Sequence, residues 1–431
     1  MLATVVLVAV GMTTTVFGSS VLHKTTWALP NDLWGLMTAA QRLVHLQLSG
    51  LYTKPTGLIS FPGAAVLMAP AVALMDALGV PVAVQAAGNP RPESWLFAGP
   101  YEIALSGVVL FAADAVAERL GVPPWRRFLL CVAQAVALWS VSVRWGHPED
   151  AVATGLLLYA VLALSRSRLA RAGWLAGAAV AVQPLVLLAV PVLLAAAGWS
   201  EAGQREVGQG EAGQGEAGQG EAGPDRGAAR RVAGFAVRTA APSLVLLSAA
   251  AAANWSATWR AVTSQPNFPQ IDHPTPWTSL APHLDGGSVA AGPGRVLAIA
   301  FACGCGAAFW YQWRIRRDWV LLLWWAAFAL AMRSVFESVM VAYYVWPVLA
   351  LALAAASARA RTLLPASAAA VAVTFASQLS WRGPWGWWTL MMAGLALTLL
   401  AAWPPAGRAG EQALLEGATL KGAIRLLFRL G

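Results

Sequence analysis

Charge is what this sequence has least of. Asp, Glu, Lys and Arg make up 11% of its 431 residues, whereas 58% are hydrophobic. A soluble protein of this length needs far more charge, about a quarter of its residues, to cover its surface. Cysteine is almost as scarce, limited to Cys131, Cys303 and Cys305. All three lie in apolar runs, and C-G-C lacks the C-x-x-C spacing of a redox or zinc site, so they read as small helix-packing residues. The motifs G-x-x-x-x-G-K-[ST], H-E-x-x-H and G-x-S-x-G are missing, as is any convincing dinucleotide fingerprint. The residues therefore give no reason to expect a cofactor or a required metal. Inverted repeat halves, which mark many secondary transporters, are not visible either.

What is present is long apolar sequence. Windows such as Val296 to Trp313 and Asp318 to Met332 hold almost no charge, which is the signal of a spanning helix. Most of the 22 Trp stand near the ends of such runs, as in the aromatic belts of membrane interfaces. The net charge of +9 comes from Arg and Lys in short loops between runs. The positive-inside rule accounts for that placement, and no nucleic acid is expected as a partner. The fold class is thus an all-α polytopic membrane protein. Helices are favoured because backbone groups in lipid must pair within their own segment, and no strand alternation is seen.

About twelve crossings are expected, near 2–22, 57–80, 99–118, 127–145, 150–166, 172–197, 233–254, 293–313, 318–333, 338–357, 363–380 and 386–403. The N-terminus has no basic n-region and no clear cleavage site, so 2–22 reads as a retained span. Basic stretches at Arg226, Arg230, Arg231 and Arg238, at "WRIRRD" (313–318), at "SARAR" (357–361) and in the C-terminal tail fit the cytoplasmic side. Asp32 and the segment 255–292 are then outside. A plain count puts "RSRLARAG" (166–173) outside as well, against the rule. The conflict disappears if two early segments are hairpins or broken helices. The candidates are 57–80, with Pro62 and Pro70, and 172–197, with Pro184 and Pro191.

The chain divides into a membrane module 1–197 with a first outer loop 24–56, a repeat loop 198–232, a second module 233–403 with an outer loop 255–292, and a tail 404–431. The stretch 200–224 reads SEAGQ, REVGQ, GEAGQ, GEAGQ, GEAGP. Its Gly, Gln and Glu cannot bury enough apolar area to offset chain entropy, so it should be a flexible cytoplasmic loop. In the tail, Lys421, Arg425 and Arg429 share one helical face, and Leu420, Ile424 and Leu427 another. That pattern suits a helix lying on an anionic leaflet.

Polar residues are costly in a membrane protein, so their positions inform. The first outer loop holds "WALPNDLWG" (27–35), then a helix-like stretch with Leu36, Leu43 and Leu46 on one side and Gln41, Arg42 and His45 on its edge. It should lie flat on the outer membrane surface. Tyr52, Lys54 and Pro55 follow, then "FPGAAVLMAPAVAL". Further on come "WGHPEDAVATG" (145–155), Gln183 before Pro184, and "RSVFESVMVAYYVWPVLAL" (333–351).

This series resembles the GT-C-fold glycosyltransferases, and more narrowly the polyprenyl-phosphate-mannose-dependent mannosyltransferases of actinobacterial envelopes. The likeness covers about the first two hundred residues and the 330–350 region. Two positions depart from it: His147 with Glu149 stands where relatives often carry Gly-Gln, and Gln183 where they often carry Lys. The resemblance implies sugar transfer, mannose above all, from a polyprenyl-phosphate donor to a hydroxyl of an envelope glycan or glycolipid. It implies a catalytic side outside the plasma membrane, and Asp32 as the base. Donor and acceptor contacts would come from Tyr52, Lys54, His147, Glu149, His273, Arg333, Glu337 and Tyr343.

Each residue also has a structural reading. Asp32 could cap a helix beginning at Leu33, and Arg333 with Glu337 could be a simple i,i+4 ion pair. His147, Glu149 and Asp150 could mark a helix start, and Tyr343 with Tyr344 could belong to the aromatic belt. In the proline-rich loop 255–292, His273 either covers substrate or joins Asp272, His283 and Asp285 around a metal, although that spacing is not diagnostic. The rival function is a transporter or flippase of a lipid-linked intermediate, or a non-catalytic partner of envelope assembly. A transporter gathers polar residues on broken helices at mid-membrane, whereas here they gather at one outer rim.

The composition of the repeat yields a direct test. Deleting 205–222 is expected to leave membrane insertion and thermal stability unchanged, measured on purified protein. A loss of folding would show that this loop docks on the rest of the chain.

Overall fold

The computed structural model describes residues 31–53, 58, 60–82, 92–199, 226–315, 317–379 and 383–404. The first apolar run 2–22, Lys54, the repeat 200–224 and the amphipathic tail 411–430 lie outside them. The described chain is helical, with one two-residue β-ladder. In order it forms α1 (Asn31–Val44), α2 (Pro62–Ala77), α3 (Pro92–Ser106), α4 (Val108–Arg119), α5 (Pro124–Trp139), α6 (Pro148–Leu164), α7 (Leu169–Val182), α8 (Val190–Gly198), α9 (Arg226–Ala253) and α10 (Trp255–Ser264). Strand β1 (His273–Pro274), α11 (Gly294–Ile315), α12 (Trp319–Phe336), strand β2 (Val339–Met340), α13 (Trp346–Ala356), α14 (Ala360–Ala376) and α15 (Gly386–Ala401) complete it.

Among the described residues, four helical stretches are long and apolar enough to cross a membrane: Glu93–Arg119, Gly227–Ala253, Gly294–Arg314 and Trp319–Phe336. Six shorter apolar helices accompany them. A helix that is apolar on all sides belongs in the interior, and α6 and α13 are buried along almost their whole length. One core runs continuously from Ile103 on α3 to Ala402 after α15, so both halves of the chain contribute to a single bundle.

The bundle has two distinct ends. At one, Arg119 donates to the Ser165 carbonyl, Arg126 to those of Ser357 and Ala358, and Arg127 forks onto Asp114. Arg231 donates to Gly198 O at the same end, where the Arg314 guanidinium lies over the Trp310 ring. The opposite end carries His147, Tyr343 and the β-ladder. It is called here the site end, and the first the basic end.

The segment 172–197 is broken, as its prolines suggest, and it doubles back. Helix α7 stops at Val182, Gln183 is extended, and a tight turn of helix over Pro184–Ala189 leads into α8. Gly173 and Gly177 bring α7 hard against α9. A Cβ on Gly177 would sit 2.6 Å from the Arg238 carbonyl oxygen, and one on Gly173 would sit 3.2 Å from that of Phe235. Small residues four apart permit such close helix approach. Because Gly198 meets Arg231 while Gly173 meets Arg238, the start of α7 and the end of α8 lie at the same basic end.

Helix α1 differs from the expected flat surface helix. Leu33, Leu36, Met37 and Ala40 are buried in a second, smaller core with Met68, Val72 and Met75 of α2 and Trp95 and Ala98 of α3. The apolar face that would have met lipid is taken by α2. Helix α2 does not traverse the bundle. Its start abuts Ala181 and Val182, Leu67 O accepts from Tyr101, and Pro81 O beyond its end accepts from Ser94. It therefore runs antiparallel to α3, away from the bundle. Its end is tied back to α1 through Asp76, which meets Gln41 and His45. Helices α1 and α2 with the first half of α3 form a cap on the site end.

This path changes which loops share a side. In a version lacking the native cysteines, Ser167→Cys and Ala217→Cys are expected to react with an impermeant thiol reagent from one face of sealed vesicles, and Ser256→Cys from the other. Labelling of position 167 together with 256 would refute the hairpin.

Candidate functional site

The site is built around the turn that starts α6. Ser140–Trp145 forms a wide π turn and ends at Gly146 with φ 71°, a left-handed conformation that suits glycine. His147, with φ −114° and ψ 65°, stands outside the helical region that a residue before proline avoids, and Pro148 supplies a preset φ for the first helical turn. Glu149 and Asp150 follow in that first turn, where the helix N-terminus favours negative charge.

His147 is hydrogen-bonded at both ring nitrogens. Nε2 lies 3.0 Å from Asp32 Oδ2 and Nδ1 lies 2.6 Å from Glu149 Oε1. Asp32 stands at the start of α1, so this contact fastens the cap to the bundle. The Asp32 side chain is 47% exposed, against 12% for His147 and 7% for Glu149, which leaves Asp32 on the rim and the other two beneath it. The Tyr343 ring lies across the imidazole, with centroids 3.9 Å apart. Burial disfavours a charged imidazole. The Glu149 carboxylate beside it and the hydrogen bonds to Asp32 and Glu149 outweigh burial, and hold His147 well above the usual histidine range.

Asp150 points elsewhere: its Oδ1 accepts from Gln183 Nε2 at 2.7 Å, a contact made possible by the break after Val182. Glu102 of α3 is buried close enough for its charge and those of Glu149 and His147 to act on one another. Beyond Tyr343 lies a cationic region. Tyr344 packs edge-on to Tyr343, and the Arg333 guanidinium sits 3.3 Å above the Tyr344 ring. Glu337 is nearly buried and lies 3.5 Å from Arg333 and 3.4 Å from Arg295. These separations are loose for charged hydrogen bonds, which run at about 2.8 Å. The loop before α11 is latched here as well. His273–Pro274 pairs antiparallel with Val339–Met340, Thr275 donates to Glu337 O at 2.6 Å, and Trp277 Nε1 donates to Val335 O.

Asp32, His147, Glu149 and Tyr343 are thus in direct contact, and Arg333 and Glu337 adjoin them through Tyr344. Tyr52 is not with them. Its hydroxyl donates to Ser60 O inside the cap, and burial pushes that phenol upward. His273 stacks face-on against Trp387 at 3.7 Å, so it packs against α15, apart from the Asp32 contact. Lys54 lies outside the described residues. Among the described residues, no group of three or more His, Cys, Asp or Glu is arranged to hold a metal ion.

Three functional candidates escaped the sequence reading: Glu102, Arg295 and the Gln183 contact to Asp150. Glu102 had a signal, since an acid inside an apolar run is rare without a role. Arg295 had none, because its partner Glu337 is brought near only by the fold. A comparison with family models and curated proteins found no match to this chain.

The pH dependence of stability follows from His147. Its proton affinity is raised on folding, so its contribution is full below the unfolded-state value of about 6.5 and is lost as pH rises through the higher folded-state value. Thermal unfolding across a pH series should therefore show His147→Gln destabilised most at about pH 6, with the gap to wild type closing as pH rises. A gap that stays constant or widens would mean that His147 is not charged in the fold.

Proposed function

We propose that the chain is a polytopic membrane glycosyltransferase of GT-C-like type. It moves a sugar, mannose being the first choice, from a polyprenyl-phosphate donor to a hydroxyl of an envelope glycan or glycolipid. The observation that carries this reading is the contact of half-exposed Asp32 with His147, backed by Glu149 and bordered by Tyr343, Tyr344 and Arg333.

The membrane arrangement we infer keeps twelve crossings but distributes them differently. The cap helix α2 does not cross, and 172–197 crosses twice. The basic end then faces the cytoplasm, with both termini, the repeat and "RSRLARAG" together, and the positive-inside conflict vanishes. Exposed Trp fit the two interfaces: Trp125, Trp174 and Trp310 near the basic end, and Trp255, Trp259 and Trp385 near the site end. Exposed Leu244, Val245, Ile299, Phe375 and Leu397 lie between them, where lipid would be.

In the reaction, an acceptor oxygen attacks the anomeric carbon while the bond from that carbon to the lipid phosphate breaks. The acceptor proton passes to Asp32, and one direct attack inverts the anomeric centre. Negative charge grows on the leaving phosphate, and Arg333, a residue suited to two-point phosphate contact, offsets it.

One observation favours a second reading, a transporter or flippase of a lipid-linked intermediate: the chain break at Gln183 meets a buried Asp150, as in transporters with discontinuous helices. The two readings diverge at Asp32. With radiolabelled polyprenyl-phosphate mannose and envelope membranes, Asp32→Asn is expected to lower label transfer by about a hundredfold or more. Asp32 lies inside the first turn of α1, which starts at Asn31, so it is not the cap of a helix starting at Leu33; folding should stay normal because the Asn oxygen can still accept from His147 Nε2–H. Equal transfer by wild type and Asp32→Asn would remove the base and with it the enzyme reading.

A further inference from the structure

His147 is faced by acids from three elements: Asp32 on α1, Glu149 and Asp150 on its own helix, and Glu102 on α3. Tyr343 covers its ring, and Arg333 acts at longer range through Asp150. Two features speak against a simple substrate contact. Both imidazole nitrogens are already committed to carboxylates, so neither is left for a sugar hydroxyl. In addition, Glu149 Oε2 and Glu102 Oε1 are buried with no hydrogen-bond partner among the described residues, on residues only 6% and 3% exposed. A buried carboxylate oxygen with no partner calls for an explanation, and a free lone pair next to a proton donor is a place for a proton.

We propose that Asp32, His147 and Glu149 act as one proton-handling unit, with Glu149 receiving a proton from the imidazole as Asp32 receives one from the acceptor. This deepens the reading of Asp32 as the base and rests on it. At rest the charged imidazole directs one N–H at each carboxylate. The acceptor O–H bond breaks and its proton joins the free oxygen of Asp32. As it does so, the Nδ1–H bond of His147 breaks, and that proton joins Glu149. The unit gains one proton in all and ends neutral, so no unbalanced cation remains under the sugar. Glu149 is a positioning residue in this scheme, since it meets the substrate only through His147.

The test uses the full-length protein in lipid nanodiscs, with isotope-labelled histidine and His147→Gln to assign the signal. At about pH 8, where an ordinary histidine is neutral, the wild-type His147 ring is expected to be doubly protonated, and in Glu149→Gln it is expected to be neutral. In the transfer assay Glu149→Gln should lower kcat by about tenfold or more while the donor KM stays in place. A neutral ring in wild type would overturn the unit. So would Glu149→Gln with raised KM and unchanged kcat, which would make Glu149 a substrate contact. If Glu149→Gln does not fold, Asp32→Asn on the rim carries the same spectral test, because it removes the other carboxylate. Full transfer by Asp32→Asn, with a ring that still needs Glu149 for its charge, would sink the base reading and leave the coupled pair as a fixture of the fold.

Discussion

The imidazole of His147, gripped at both nitrogens, is the contact on which the site end depends. It joins a rim carboxylate on the cap to a buried carboxylate on the central helix. Inside a protein such pairs are strong when satisfied and expensive when broken. The cap therefore cannot shift on the bundle without stranding either a carboxylate or a charged ring. The grip itself follows from four consecutive residues: Trp145 closes the π turn, Gly146 reverses the backbone, His147 stays out of the helical conformation, and Pro148 starts α6. A different residue at position 146 would strain that reversal, and the ring would no longer reach α1.

A second constraint lies deeper. The close approach of α7 to α9 at Gly173 and Gly177 lets the chain turn back at Gln183 within the thickness of the bundle. That turn aims Gln183 at Asp150, and so satisfies one oxygen of an acid adjoining Glu149. Packing of small residues at the basic end and the electrostatics of the site end are linked through one helix. Gly294 plays a comparable part near the latch, since a Cβ there would collide with the Phe336 carbonyl, and the tight fit keeps Arg295 within range of Glu337.

Much of this was legible in the sequence, and the gaps have physical causes. Apolar runs marked nearly every helix, because burial and lipid both demand continuous hydrophobicity. Hydropathy cannot distinguish a helix that crosses from one that doubles back, so 172–197 counts as one run by hydropathy, and only its prolines and the misplaced charge of "RSRLARAG" mark it as a candidate hairpin. It also could not show that the apolar face of α1 is covered by α2, since both partners look like membrane segments. His273 was assigned to substrate because a proline-rich polar loop suggests exposure. The fold adds a contact no local pattern shows, the stacking of its ring on Trp387, distant in sequence. The convergence of Asp32 with His147 was suggested only by resemblance. No local pattern connects residues 115 positions apart.

The geometry raises one objection to Asp32 as a base, and it also contains the answer. A cation hydrogen-bonded to a carboxylate stabilises its ionised form, and so makes it a poorer acceptor of a proton. With Arg in place of His147 that charge would be fixed. An imidazole differs from a guanidinium in that it can surrender its second proton to a neighbouring carboxylate, and here Glu149 Oε1 lies 2.6 Å from Nδ1. The cation that holds Asp32 in place can therefore vanish at the moment Asp32 must accept. Across the tyrosine pair the opposite requirement holds, because charge growing on a phosphate is best met by a cation that never titrates, and the residue there is Arg333. The two sides of the site differ in the one property that each half of the proposed reaction needs: a charge that can be surrendered beside the base, and a charge that cannot beside the leaving group.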